Sequence, residues 1–169
     1  FTDKVVLITG AGLGLGRGLA LALAEAGARV ALNDLMPTNI ETLEAEISAA
    51  GGTARQYALD VSKKLPVQAL VNAVEDDFGR IDVLINHASV RPDDAALAMD
   101  EWDWRRTLDV ILTGTFLVSQ SVGRVMREAG GGMILNIGPS VSEGTHSAYA
   151  AAKAGMLAWT SAAAPEFAA

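Results

Sequence analysis

The apolar run Val5-Val6-Leu7-Ile8 passes through Thr9-Gly10-Ala11-Gly12-Leu13-Gly14-Leu15-Gly16 straight into a stretch, Arg17 to Glu25, with apolar residues at helical spacing. Strand, glycine-rich turn and helix in that order build a corner suited to a phosphate group. Glycines let the backbone approach a ligand closely, and the free N–H groups of a helix start face negative charge. A flexible linker of the same composition would not be wedged between a Val/Ile strand and an amphipathic helix. The spacing is particular. Gly-x-Gly-x-x-Gly fails from Gly10, Gly12 or Gly14, because the third glycine falls on Leu15, Arg17 or Leu19. Thr-Gly-x-x-x-Gly-x-Gly fits, through Thr9, Gly10, Gly14 and Gly16.

The remainder of the chain alternates in the same way. Residues 5–8, 29–32, 54–58, 83–85 and 133–137 read as buried strands, and helix-period segments lie near 15–27, 38–50, 62–78 and 100–128, with another from about 148. Alternating strands and helices, with strands apolar on both faces, predict a parallel sheet covered by helices. Right-handed crossovers make this an α/β doubly wound, Rossmann-like sheet with its ligand crevice at the carboxyl ends of the strands. Gly27, Gly51, Gly79 and Gly130 to Gly132 fall where helices should stop, and Thr38 and Ser62 where N-caps are expected. Length points to one domain over residues 1–169.

Composition removes other classes. Half of the residues are hydrophobic and the formal charge is −7, which argues against nucleic acid or an anionic membrane as main partner. No apolar run approaches the roughly 18 residues of a membrane helix. No cysteine is present, which excludes a disulfide framework and favours a cytoplasmic setting; two isolated histidines offer no metal cluster.

The glycine pattern resembles that of the short-chain dehydrogenase/reductase family, and further motifs carry the same resemblance. Tyr149-Ala150-Ala151-Ala152-Lys153 is similar to the family's catalytic Tyr-x-x-x-Lys, Asn86-His87-Ala88-Ser89 to its Asn-Asn-Ala-Gly, and Asp60-Val61 to its adenine-contacting Asp-Val pair. The resemblance implies an NAD-dependent oxidoreductase that interconverts a secondary alcohol and a ketone. Its cofactor would lie along Gly10, Gly12, Leu13, Gly14, Leu15, Gly16, Asp34, Asp60, Val61, Asn86, His87, Ala88, Tyr149 and Lys153. It also implies a homo-oligomer associating through the helices near 100–128 and 148–164. The family continues into further C-terminal strands that this sequence does not show, so the expectation is either part of a longer chain or a shortened sheet.

The chemistry of these residues supports their roles. Asp34 ends the second strand, 18 residues after Gly16, where a carboxylate can accept hydrogen bonds from ribose hydroxyls and repels a 2′-phosphate. Leu35, Gly12 and Leu13 stand where NADP-preferring members place a basic residue, which favours NAD. A tyrosine titrates near ~10, and a lysine cation one helical turn away favours the phenolate, suiting Tyr149 to exchange protons. Asp60 could equally cap a turn with Ser62. His87 reads by itself as a packed, hydrogen-bonded histidine.

Two catalytic positions depart from the family. Its active-site asparagine falls on Ile111, and Gly138-Pro139 replace the expected serines. Ser140, nine positions before Tyr149, or Ser142, is the candidate donor to the carbonyl; both could instead be turn residues. With catalysis so altered, a dinucleotide-binding sensor or subunit is the alternative. Trp102 and Trp104 are expected to pack at a helix start, and Arg91 to Asp94 to form a solvated loop at the crevice mouth.

Overall fold

The computed structural model describes residues 1–139 and 146–168. Five strands form one parallel sheet: β1 (Val5–Thr9), β2 (Arg29–Asp34), β3 (Thr53–Ala58), β4 (Val83–Asn86) and β5 (Met133–Asn136), in the order β3-β2-β1-β4-β5. The connecting helices are α1 (Gly14–Glu25), α2 (Pro37–Ala49), α3 (Lys64–Phe78), α4 (Glu101–Leu108), α5 (Gly114–Glu128) and α6 (Ser147–Phe167).

Alternation along each strand divides the core into two layers. Val5, Leu7 and Leu84 face Val67, Leu70, Val71 and Val74 of α3 and Val118, Val122 and Met126 of α5. Val6, Ile8, Val30, Leu32 and Ile85 face Ala20 of α1 and Ile40, Leu43 and Ile47 of α2. All five residues of β1 are buried, as the middle strand of a doubly covered sheet requires. Burying each such Val, Leu or Ile side chain contributes about 1.5–3 kcal/mol. β5 differs from expectation: Met133 and Leu135 are exposed and, among the described residues, join none of the buried apolar clusters, whereas Ile134 between them packs against the α3–α5 layer.

Several helix boundaries also differ. Thr38 does not cap α2. Pro37 takes the first helical position, where its fixed φ suits the helix and its missing N–H costs nothing, so Met36 becomes the cap and Thr38 lies in the first turn. Ser62 does not cap α3, because its amide and hydroxyl both donate to Asp60 Oδ1 and the helix begins beyond Lys63. The segment near 100–128 is not one regular helix. Asp109–Thr113 forms a π-helical turn between α4 and α5, closed by the Gly114 amide donating to the Asp109 carbonyl. Trp102 does not pack inward; its ring is exposed, with the Arg106 guanidinium 5.3 Å from its centroid. Among the described residues no helix is long and apolar enough to cross a membrane.

Candidate active site

The strand order reverses between β1 and β4, and two of the sequence motifs follow those two strands. A crevice outside the carboxyl ends of the strands at such a reversal is the usual ligand position in a doubly wound sheet. After β1 the chain enters the glycine turn; after β4 it continues as His87 and Ala88.

Thr9 joins the two segments, its hydroxyl accepting from the amides of His87 and Ala88 at 3.1 and 3.2 Å. Gly10 has φ +66°, and a Cβ there would stand 2.8 Å from the Ala88 Cα, so both the conformation and the packing require glycine. At Gly16 a Cβ would drive into the Gly10 carbonyl oxygen. The opposite side of the turn is open. Gly14 has nothing within 4 Å of an added Cβ, and Leu13 and Leu15 are exposed. The turn therefore packs tightly beneath while presenting backbone to free space, which fits a dinucleotide's phosphates.

Asp34, at the end of β2, closes one flank. Its Oδ2 accepts from the Gly12 amide at 2.9 Å and its Oδ1 from the Met36 amide at 3.0 Å. A Cβ on Gly12 would lie 2.8 Å from that same Oδ2, so glycine at 12 lets the carboxylate approach. Both oxygens keep lone pairs for ribose hydroxyls. Asp60 makes the capping contacts with Ser62 that its sequence context allowed, and Val61 is buried against Gly114.

Asn86 is buried at the end of β4. Its amide nitrogen donates to Asn136 Oδ1 (2.8 Å) and to Ser119 Oγ (2.9 Å), tying β4 to β5 and α5. Asn136 passes the connection to Thr160 on α6 at 2.9 Å. Asn136 opens the Asn136-Ile137 run whose next positions hold Gly138-Pro139 in place of serines, whereas Ser119 and Thr160 were not singled out in the sequence. The signal for Ser119 and Thr160 was a polar residue on a largely apolar helix.

α6 brings in the remaining groups. Ile111 of the π-helical turn packs with Ala152 and Met156, with Tyr149 against the same cluster. Lys153, four residues after Tyr149, is buried; its Nζ donates to the Ile137 carbonyl at 2.5 Å and lies 5.9 Å from the Tyr149 ring centroid. Burial holds the ammonium below its ordinary value. Ile137 directly follows β5, so Lys153 is anchored at the same end of the sheet as the glycine turn. Ile111 is fully buried and brings no polar side chain. Gly138 and Pro139 are described and carry no hydroxyl; Ser140 and Ser142 lie outside the described residues.

Comparison with known proteins gives the family. A family model described as short chain dehydrogenase matches residues 4–169. A D-threitol dehydrogenase from Mycolicibacterium smegmatis is 41% identical over 157 residues, covering 91% of this chain and 60% of that protein. The chain thus spans less than two thirds of that relative's length. Among solved structures, an NAD+-bound xylitol dehydrogenase superposes with a TM-score of 0.94 at 34% identity, covering 99% of this chain and 66% of the other. A metagenomic short-chain oxidoreductase in complex with NADP gives 0.93 at 31% identity, over 99% and 78%.

Proposed function

The chain belongs to the short-chain dehydrogenase family, and from that premise we propose that it interconverts a secondary alcohol and a ketone with NAD(H). The observation that carries this reading is the pairing on α6: Tyr149 and, one turn on, a buried Lys153 whose ammonium is 5.9 Å from its ring. Bound NAD supplies the acceptor for the hydride; the protein supplies orientation and a proton site. Tyr149 Oη exchanges the proton of the substrate hydroxyl. Lys153 sets its ammonium beside the Tyr149 ring and holds the nicotinamide ribose. Ser140, or Ser142 in its place, donates to the carbonyl oxygen.

NAD is preferred to NADP in this reading because Asp34 puts a fixed negative charge beside the ribose, with Gly12 and Leu35 bringing no cation to offset a 2′-phosphate. The remaining glycine-turn residues, Asp60, Val61, Asn86, His87 and Ala88 line the same cofactor. The protein acts as a homo-oligomer through the helices around α4–α5 and α6, where Trp102, Phe116 and Leu157 are exposed. The absence of cysteine suits the cytoplasm.

Turnover of a panel of secondary alcohols tests the proposal. Tyr149→Phe should lower the rate by about 10²–10⁴ while saturable NAD binding persists. Ser140→Ala should slow it by roughly 10²–10³, the usual cost of losing one such donor. Unchanged turnover in Tyr149→Phe removes the mechanism. A second reading, an NAD-binding sensor or subunit with impaired catalysis, is favoured by the apolar Ile111 and by Gly138-Pro139. Tight NAD binding by the wild-type protein with no turnover on any alcohol would select it.

A further inference from the structure

Lys153 and Thr160 hold α6 to the end of β5 at two neighbouring residues. The Lys153 Nζ donates to the Ile137 carbonyl, and the Thr160 hydroxyl accepts from the Asn136 amide nitrogen at 2.9 Å. An α-helix advances about 100° per residue, so the steps from Lys153 to Thr160 complete two turns to within about 20°. The two side chains therefore leave the same face of α6. Between them Met156 is buried, and with Ala152 it meets Ile111. Those contacts are apolar and non-directional: they hold the helix down but set no angle about its axis.

The polar chain does set one. Thr160 donates its hydroxyl proton to the Met156 carbonyl at 2.7 Å, which leaves its oxygen to accept from Asn136. Asn136 donates there while its Oδ1 accepts from Asn86 at 2.8 Å; turned over, its NH2 would face the Asn86 NH2. The other Asn86 N–H is held by the buried Ser119 of α5 at 2.9 Å. Every bond from the buried end of β4 to the backbone of α6 thus runs in one sense, and the Thr160 hydroxyl is the step that reaches α6. Resting on the reading of Tyr149 and Lys153 as the reacting pair, we infer that Thr160 is a positioning residue for that pair. Through Asn136 it fixes the rotation of α6 about its axis, and with it the place of the Lys153 ammonium and the Tyr149 ring at the end of the sheet. Ser161 provides the contrast. Its hydroxyl makes the same bond back to the carbonyl four residues earlier, that of Leu157 at 3.2 Å, but from an exposed position about 100° round the helix.

The test reads Lys153 itself as well as turnover. Acetylation of Lys153 by acetic anhydride in the cofactor-free protein, at one fixed pH and followed by peptide mass spectrometry, should be slow in the wild-type protein, because the ammonium is buried against Ile137. Thr160→Val keeps the side-chain shape and removes the hydroxyl. It should raise the Lys153 labelling rate about threefold to tenfold, the effect of losing one ordinary hydrogen bond. On a secondary alcohol its kcat per NAD-binding site should fall by a similar factor, about three to ten, with KM changed by less than about twofold. A purely structural loss would lower the number of sites and leave kcat per site alone. Thr160→Ser should restore both values, and Ser161→Ala should match the wild-type protein. Thr160→Ala, which lacks the same hydroxyl, serves if Thr160→Val does not fold. Wild-type labelling or wild-type kcat in the hydroxyl-free variant, a Thr160→Ser protein as impaired as Thr160→Val, or equally fast labelling in Ser161→Ala overturns the inference and leaves the alcohol–ketone reading standing. Absence of turnover by the wild-type protein on every alcohol overturns that reading instead, while the labelling rates still decide whether Thr160 holds Lys153 in place.

Discussion

Two carboxylates at opposite ends of the sheet accept similar backbone hydrogen bonds and have opposite fates. Asp82, at the amino end beside β4, accepts from the Val5 amide at 2.9 Å, and Lys4 (3.2 Å) and Arg80 (2.7 Å) both pair with its Oδ1. Burial alone would raise its pKa, but the Val5 amide and the two cations outweigh that and hold the carboxyl below its ordinary value. Asp34, at the carboxyl end, accepts two backbone amides where Asp82 accepts one. Among the described residues no cation pairs with it. One charge is consumed by the fold; the other is oriented and left uncompensated. In the proposed reading, that oriented and uncompensated carboxylate is the group that receives the ribose hydroxyls.

The contrast can be broken at either end. The largest effect on stability should come from Asp82→Ala, which strands the Val5 amide and leaves two cations without their partner. A loss of about 2–4 kcal/mol is expected, placed below the deepest buried pairs because Lys4 and Arg80 are about half exposed. Thermal melting should show it, with NAD affinity unchanged. Asp34→Arg should do the reverse. Its melting point should hardly move, while the NAD-to-NADP affinity ratio should fall by roughly tenfold to a hundredfold, or about 1–3 kcal/mol. Equal or tighter NADP binding by the wild-type protein would end the comparison.

The smallest effect is in the pH dependence of stability. Asp82 has a lowered folded value, so the unfolded chain takes up its proton first, and stability is lost as pH falls below 3.8. Lys153 has a lowered value through burial, so the unfolded chain holds its proton longer, and stability should rise as pH climbs toward 10.5. Acid therefore loosens the amino end and alkali relieves the carboxyl end. Lys153→Met should abolish the alkaline rise without touching the acid limb, as pH-dependent melts would record.

The sheet was legible in the sequence because apolar runs bounded by glycines leave little choice; all five strands lie where the hydropathy pattern puts them, to within two residues. The glycine turn, Asp34 and the Tyr149–Lys153 spacing were readable for the same local reason. What escaped depends on partners distant in sequence. Ser62 resembles an N-cap until Asp60 captures it. β5 has a core strand's composition, but among the described residues Met133 and Leu135 on one of its faces meet no covering cluster. His87 could be read as a packed histidine, yet that its ring fits beneath Gly16 follows only when β1 and β4 lie side by side.

The π-helical turn at Asp109–Thr113 acts as a phase shifter. An α-helix advances about 100° per residue, so one residue more or less at this point rotates everything beyond it by that angle. Deleting a single residue here would leave α4 docked and swing the inner face of α5 away from the sheet. Ser119 would leave Asn86, and Val118 and Val122 would leave the β1 and β4 side chains they cover. Substitutions along this segment can be absorbed one contact at a time, but a change of length cannot. Single-residue deletions between 109 and 113 should therefore be far less tolerated than in the exposed loop at 93–98, and a deletion scan read by expression and melting would map that boundary.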